Sequence, residues 1–374
     1  MKRVNISQVD AIFSNGSYPI EFLFYYEPAF DTKRLRRALQ KLSSMFWPVF
    51  GDYKDGAIVF EGYREAECFA EEAHDRELNI SEIEKADAGV LSRFALPELE
   101  RLFFLKATRF KNGLVLIPKL NHLAGDGYSY FLFLSFLTAL SRPSLVPFKS
   151  SLMNLALKPH HRRTVLRDFA FQGVDLKPLA QPGTLALESD TILRRDVQSI
   201  IQEAAGSAGL RISTNDVLSA LAIKKLARIH ADSWADEVDL TIPIDVRGKV
   251  KEYGRGFFGN GIMFHTARFK KKPLENSPVQ EIAIQIRQSM PPLSEETYLD
   301  FLKRLEDILS AGRLDEFRPY DPERGCLVTN LSRLPADKLD FGTGCPKLVI
   351  PLTVEKNGVG ILAKGDNYIL RSAY

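Results

Sequence analysis

Two patterns of apolar residues recur along this chain. Short runs that are apolar throughout, or that alternate with polar residues, predict strands at 20–26, 57–60, 102–110, 114–120, 238–246, 327–330, 348–354 and 359–363. Longer runs with apolar residues three and four apart predict helices. In the first of these, Leu35, Ala38, Leu39 and Leu42 share one face behind a cap at Asp31 or Thr32, and the neighbouring cations lie mostly outside it. Further helices are predicted at 128–140, at 197–205 with Gly206 and Gly209 as its stop, at 215–229 behind Ser213 or Thr214, at 278–290 and at 295–309. Asp55-Gly56, Asn112-Gly113 and Asn357-Gly358 supply turns between strands. Pro118 lacks an N–H, so a bulge or a local end of pairing is expected beside it.

From Arg142 to Ser189 the periodicity is lost, and Pro143, Pro147, Pro159, Pro178 and Pro182 punctuate the stretch. It reads as a crossover. The expected organisation is a first domain at 1–160, a linker at 161–189 and a second domain at 190–374. Strands alternate with helices in each half and no glycine-rich phosphate loop is present, which predicts an α/β protein with two similar mixed-sheet domains.

Composition narrows the chemistry. Fifty Lys+Arg against 47 Asp+Glu leave a net charge of +3, too balanced for a nucleic-acid partner. Any bound anion has to meet a local basic patch. The densest one is Lys158-Pro159-His160-His161-Arg162-Arg163, either a solvated linker or a docking patch for phosphates. Cys68, Cys326 and Cys345 are far apart and without a paired spacing, so neither a disulfide framework nor a zinc site is expected, and a reducing, cytoplasmic compartment is the simpler reading. The first residues lack an apolar signal core, and the longest apolar run is too short to span a bilayer, so no membrane partner is expected.

The candidate chemistry sits between the strand at 114–120 and the helix at 128–140. Asn121-His122-Leu123-Ala124-Gly125-Asp126-Gly127 is a tight turn that holds one imidazole and one carboxylate four residues apart between apolar walls. Burial there keeps an imidazole neutral, as a general base must be. Spacing alone leaves two other readings open, a hydrogen-bonded core histidine and a plain Asp-Gly turn.

His122-x-x-x-Asp126-Gly127 resembles the active-site signature of the CoA-dependent acyltransferases with the chloramphenicol-acetyltransferase fold, among them the BAHD acyltransferases and the peptide-synthetase condensation domains. Other stretches resemble the BAHD enzymes in the same order along the chain. They are Phe46-Trp47-Pro48-Val49-Phe50-Gly51, Asn215-Asp216-Val217, Asp245-Val246-Arg247-Gly248, Gly256-Phe257-Phe258-Gly259-Asn260, Val328 to Pro335, and Asp340-Phe341-Gly342-Thr343-Gly344. Leu331 and Thr343 stand where the family has tryptophan, and Asn121 stands where condensation domains place a second histidine.

The resemblance implies a tunnel between two domains, with acyl-CoA as co-substrate, a small alcohol or amine as acceptor, and no permanently bound cofactor or metal. His122 is then the general base and Thr329 the oxyanion donor. Asp126, Gly127, Arg247, Asp340 and Gly342 are structural, with Asp126 paired to Arg247. Phe22 and Phe24 line the acceptor pocket or are ordinary core, and Arg162, Arg163, Ser213 and Lys249 are the CoA-binding candidates. The expected protein is a monomeric enzyme of specialised metabolism. A condensation-like enzyme using a carrier-protein thioester, or a binding or scaffold protein of the same fold, is the alternative.

Overall fold

The computed structural model describes residues 1–14, 18–84, 94, 96, 101–143, 159–161, 185–208 and 210–374. The first half contributes β1 (Lys2–Asn5), β2 (Ile20–Tyr26), β3 (Asp52–Lys54), β4 (Ala57–Phe60), β5 (Phe69–Ala73), β6 (Phe103–Phe110) and β7 (Gly113–Leu120). The second contributes β8 (Leu187–Leu193), β9 (Glu237–Asp245), β10 (Ile262–Lys270), β11 (Gly325–Asn330), β12 (Leu348–Pro351), β13 (Gly358–Lys364) and β14 (Asn367–Ala373). Among the described residues three sheets form: β1-β4-β3, the five-stranded β12-β2-β7-β6-β5, and the six-stranded β10-β9-β11-β13-β14-β8.

Both faces of the five-stranded sheet are covered. On β2, Phe22, Phe24 and Tyr26 enter the main core while Leu23 and Tyr25 enter a smaller one; on β7, Leu114, Leu116 and Leu120 divide from Val115 and Ile117 in the same way. This is why 114–120 reads as a nearly unbroken apolar run. Gly127–Ser141 forms a helix apolar on every side, buried against this sheet and the Thr32–Leu42 helix. The latter helix buries Leu35, Ala38, Leu39 and Leu42, each leucine worth about 1.5–3 kcal/mol relative to exposure.

In the six-stranded sheet, Val238, Leu240 and Ile242 of β9 pack beneath the Thr214–Ile229 and Val279–Ser289 helices. The opposite face joins the first half: Phe264, Leu327 and Leu362 pack against the main core. That core therefore spans both sheets, and the turn carrying His122 enters it through Leu123 and Ala124.

At Pro118 the expected local end of pairing is present without a bulge: Ile20 pairs with Leu120, Glu21 with Lys119 and Phe24 with Leu116 in one register, while Phe22 and Leu23 have no ladder partners on β7. The missing N–H opens a gap in the ladder without slipping it. Other expectations are corrected. Gly206 lies inside a helix that runs Arg194–Ala208, and residues 187–189, assigned to the linker, are already β8. The strand expected at 348–354 ends at Pro351 because the next residues leave one sheet for the other. Most consequential, β12 of the second half pairs antiparallel with β2 of the first, so the division at 161–189 is crossed by a strand.

Candidate active site

The turn after β7 is fixed by its own polar groups. The Asn121 N–H donates to the Leu102 carbonyl at 2.7 Å, its carbonyl accepts from Ala124 at 3.0 Å, and its side-chain oxygen accepts from the Leu123 N–H at 2.9 Å. Gly125 is needed because a Cβ there would lie 2.9 Å from Ser129 Cβ. Asp126 then caps the helix, accepting from the Ser129 N–H at 2.9 Å. His122 thus stands on a stiff bend.

Asp126 is committed elsewhere. Its two oxygens accept from Arg247 Nη1 and Nη2, each at 2.9 Å, and Oδ2 also accepts from the Gly261 N–H at 2.9 Å. Both side chains are buried, at 3% and 2% exposure. Arg247 also donates to Ser129 Oγ and to the Gly259 carbonyl, each at 3.0 Å, and its guanidinium lies 4.3 Å from the centre of the Tyr128 ring. This fork is a clamp between the two halves. Only a planar guanidinium can bind a carboxylate through both nitrogens in this way.

His122 is half-buried, its ring stacked on Phe13 with centroids 3.8 Å apart. Nδ1 is sealed from solvent and has no hydrogen-bond partner among the described residues. The His122 carbonyl accepts from Asn260 Nδ2 at 2.8 Å, and the same amide donates to Asp10 Oδ1 at 2.7 Å. Asp10 Oδ2 in turn accepts from the Ser7 N–H and Oγ, each at 2.8 Å. Burial holds the imidazole pKa below its usual 6.5, outweighing the Asp126 carboxylate, which pulls the other way. The ring is therefore neutral at pH 7.

Thr329 is half-buried on β11, opposite Gly360. Cys326 and Val328 turn into the second half's own core, so Leu327 and Thr329 face the core shared by both halves. The loop leaving β11 reaches the histidine turn: a Cβ on Gly127 would lie 3.3 Å from Leu331. Asp340 sits apart from this cluster. Its Oδ1 accepts from the Gly342 and Gly344 N–H groups at 2.7 and 2.9 Å, Oδ2 lies 3.2 Å from Arg142, and Phe341 stacks on Phe30 at 4.6 Å. Gly342 has φ +108°, which a side chain rarely adopts, so this loop requires glycine there.

Phe22 and Phe24 lie in the main core. They are 2% and 0% exposed, and Phe22 packs on Tyr130 and Phe131 at 5.8 and 5.3 Å, so their neighbours are core rings and the ring beside His122 is Phe13. Ser213 has a role within the fold. Its hydroxyl closes a capping box with Asp216 and accepts from Arg287 at 2.9 Å, which leaves it engaged within the fold. Lys249 is exposed in the turn after Arg247, and Arg162 and Arg163 lie outside the described residues. The adjoining His160 is bound, its N–H donating to the Gly256 carbonyl at 2.9 Å.

Asp10, Phe13 and Asn260 were not among the expected site residues. Ser7-Gln8-Val9-Asp10 has the spacing of a capping box and could have pointed to the first, whereas the approach of Phe13 to His122 has no local signature.

A Transferase family profile matches residues 65–367, and the chain belongs to that family, the BAHD acyltransferases. It is 23% identical to shikimate O-hydroxycinnamoyltransferase of Nicotiana tabacum over 410 residues, covering 98% of this chain and 88% of that protein. Among solved structures, F. graminearum TRI101 complexed with coenzyme A and deoxynivalenol matches with a TM-score of 0.74 at 15% identity, over 100% of this chain and 95% of the other. Vinorine synthase matches with a TM-score of 0.74 at 17% identity, over 100% and 90%. The two sheet-containing domains are those of the BAHD fold.

Proposed function

We propose that this protein transfers an acyl group from a CoA thioester to the hydroxyl or amine of a small acceptor, with His122 as general base. The observation that carries the reading is the state of His122: neutral through burial, fixed on a bend between the halves, and with the neighbouring carboxylate engaged by Arg247. Sealing Nδ1 leaves Nε2 as the nitrogen that reaches the acceptor. The acceptor proton passes to Nε2 as its oxygen or nitrogen bonds to the thioester carbonyl carbon. The tetrahedral oxyanion takes a hydrogen bond from Thr329, an interaction typically worth a few kcal/mol. As the intermediate collapses the C–S bond breaks, and His122 returns the proton to the CoA thiolate.

CoA as co-substrate is supported by membership in the family and by the coenzyme A in the TRI101 complexes. The test is mass spectrometry of the wild type and His122→Ala with acetyl-, malonyl- and aromatic acyl-CoAs against pooled alcohols and amines. New acylated products formed only by the wild type are expected. Equal product from both proteins would overturn the mechanism.

A further inference from the structure

The chain crosses from β12 in one sheet to β13 in the other through residues 352–357, and Glu355 lies in that crossing. Its side chain is half-buried and has neither an ion pair nor a hydrogen bond among the described residues. Its neighbours are aromatic. The Tyr320 hydroxyl donates to the Lys356 carbonyl at 2.5 Å, and the Thr353 hydroxyl donates to the Pro19 carbonyl, next to Tyr18. The Tyr18 and Tyr320 rings are 6.3 Å apart and mostly buried. From Tyr18 the line continues to Phe13 at 6.2 Å and from Phe13 to His122 at 3.8 Å. A wall of three rings therefore runs between the proposed base and an unpaired carboxyl.

The local cations do not serve that carboxyl. Lys356 pairs with Glu323 at 2.6 Å, and Arg318, whose charge reaches both tyrosines, pairs with Asp321 at 2.8 Å. Burial pushes the Glu355 carboxyl up to about 7, so near neutrality its charged form lacks a counter-charge. An ammonium group placed beside the tyrosines would supply one, and ring faces attract ammonium groups as well.

We propose that Glu355, with Tyr18 and Tyr320, forms the far end of the acceptor site and selects acceptors that carry a cationic ammonium group remote from the group to be acylated. This rests on the acyl-transfer reading above. A protonated amine is no nucleophile, so the ammonium anchors one end while a hydroxyl or neutral amine at the other end meets His122.

The probe is N,N,N-trimethyltyramine, a permanent cation with one phenolic hydroxyl, compared with its neutral carbon isostere by calorimetric titration. The wild type is expected to bind the cation about tenfold more tightly than the isostere, as a partly desolvated cation–π contact plus a charge pair requires. Glu355→Gln should erase that preference while keeping the affinity for the isostere and without lowering the melting temperature. Equal affinity for the two probes in the wild type, no binding of the cation, or a preference that survives Glu355→Gln overturns the proposal. Titration needs no turnover, so a protein that keeps the preference but transfers no acyl group refutes the catalytic reading and leaves this one standing.

Discussion

Removing the Asp126 carboxylate should cost stability before it costs chemistry. In Asp126→Ala, Arg247 keeps its contacts to Asp245, Ser129 and two carbonyls but loses both bonds to its main counter-ion at 2% exposure. Breaking a buried pair from one side costs about 3–5 kcal/mol. The Ser129 N–H also loses its cap, worth about 1 kcal/mol, and the Gly261 N–H loses its acceptor. Asp126→Asn keeps an oxygen for the cap, so it should fall between the wild type and alanine. Urea unfolding followed by tryptophan fluorescence suits the measurement, since Trp47 and Trp234 lie one in each half. The expected order of midpoints is wild type, then asparagine, then alanine. Wild-type midpoints for both variants together with lost turnover would refute the clamp and make Asp126 a partner in the chemistry.

His122→Ala should lower kcat by about 10² to 10⁴ while leaving the melting temperature within a degree or so. Because burial depresses the imidazole pKa, the rate should be flat through neutrality and fall only as pH drops below 6.5 toward the lowered value; a rising limb centred above 6.5 would contradict this. Asp340→Ala removes the acceptor of two exposed backbone N–H groups and the partner of Arg142, so it should destabilise by about 0.5–1.5 kcal/mol, read by calorimetry, with no isolated loss of the chemical step. Glu355 holds its proton to about 7 when folded and to 4.5 when unfolded, so stability falls as pH rises through that window; Glu355→Gln should gain on the wild type by up to about 3 kcal/mol above it, and a pH-independent difference would refute the assignment.

What the sequence disclosed was whatever depends on neighbours in the chain. The apolar stripe of Leu35, Ala38, Leu39 and Leu42, the Asn112-Gly113 turn and the cap at Ser213 each follow from spacings of a few residues, and each stands in the structure. The Asp126 to Arg247 pairing was reached only through resemblance, since its partners lie 121 residues apart. The surroundings of His122 were less legible. Asn260 is 138 residues from it, and the Phe13 stack depends on how a short N-terminal helix docks, which no periodicity encodes. Phe22 and Phe24 mark the limit of alternation as an argument. It assigned them to one face of β2 but could not tell a tunnel from a core on that face.

The strand β12 has a consequence for cutting the chain. A fragment ending before residue 185 retains β2 but loses the strand that pairs with it from Leu348–Tyr25 to Pro351–Phe22. The exposed edge would carry Leu23 and Tyr25 beside unpaired backbone groups, the kind of edge that recruits foreign strands and aggregates. The first half should therefore be insoluble when expressed alone and recoverable when a peptide covering 345–353 is supplied in trans, behaving as a receptor for a donated strand.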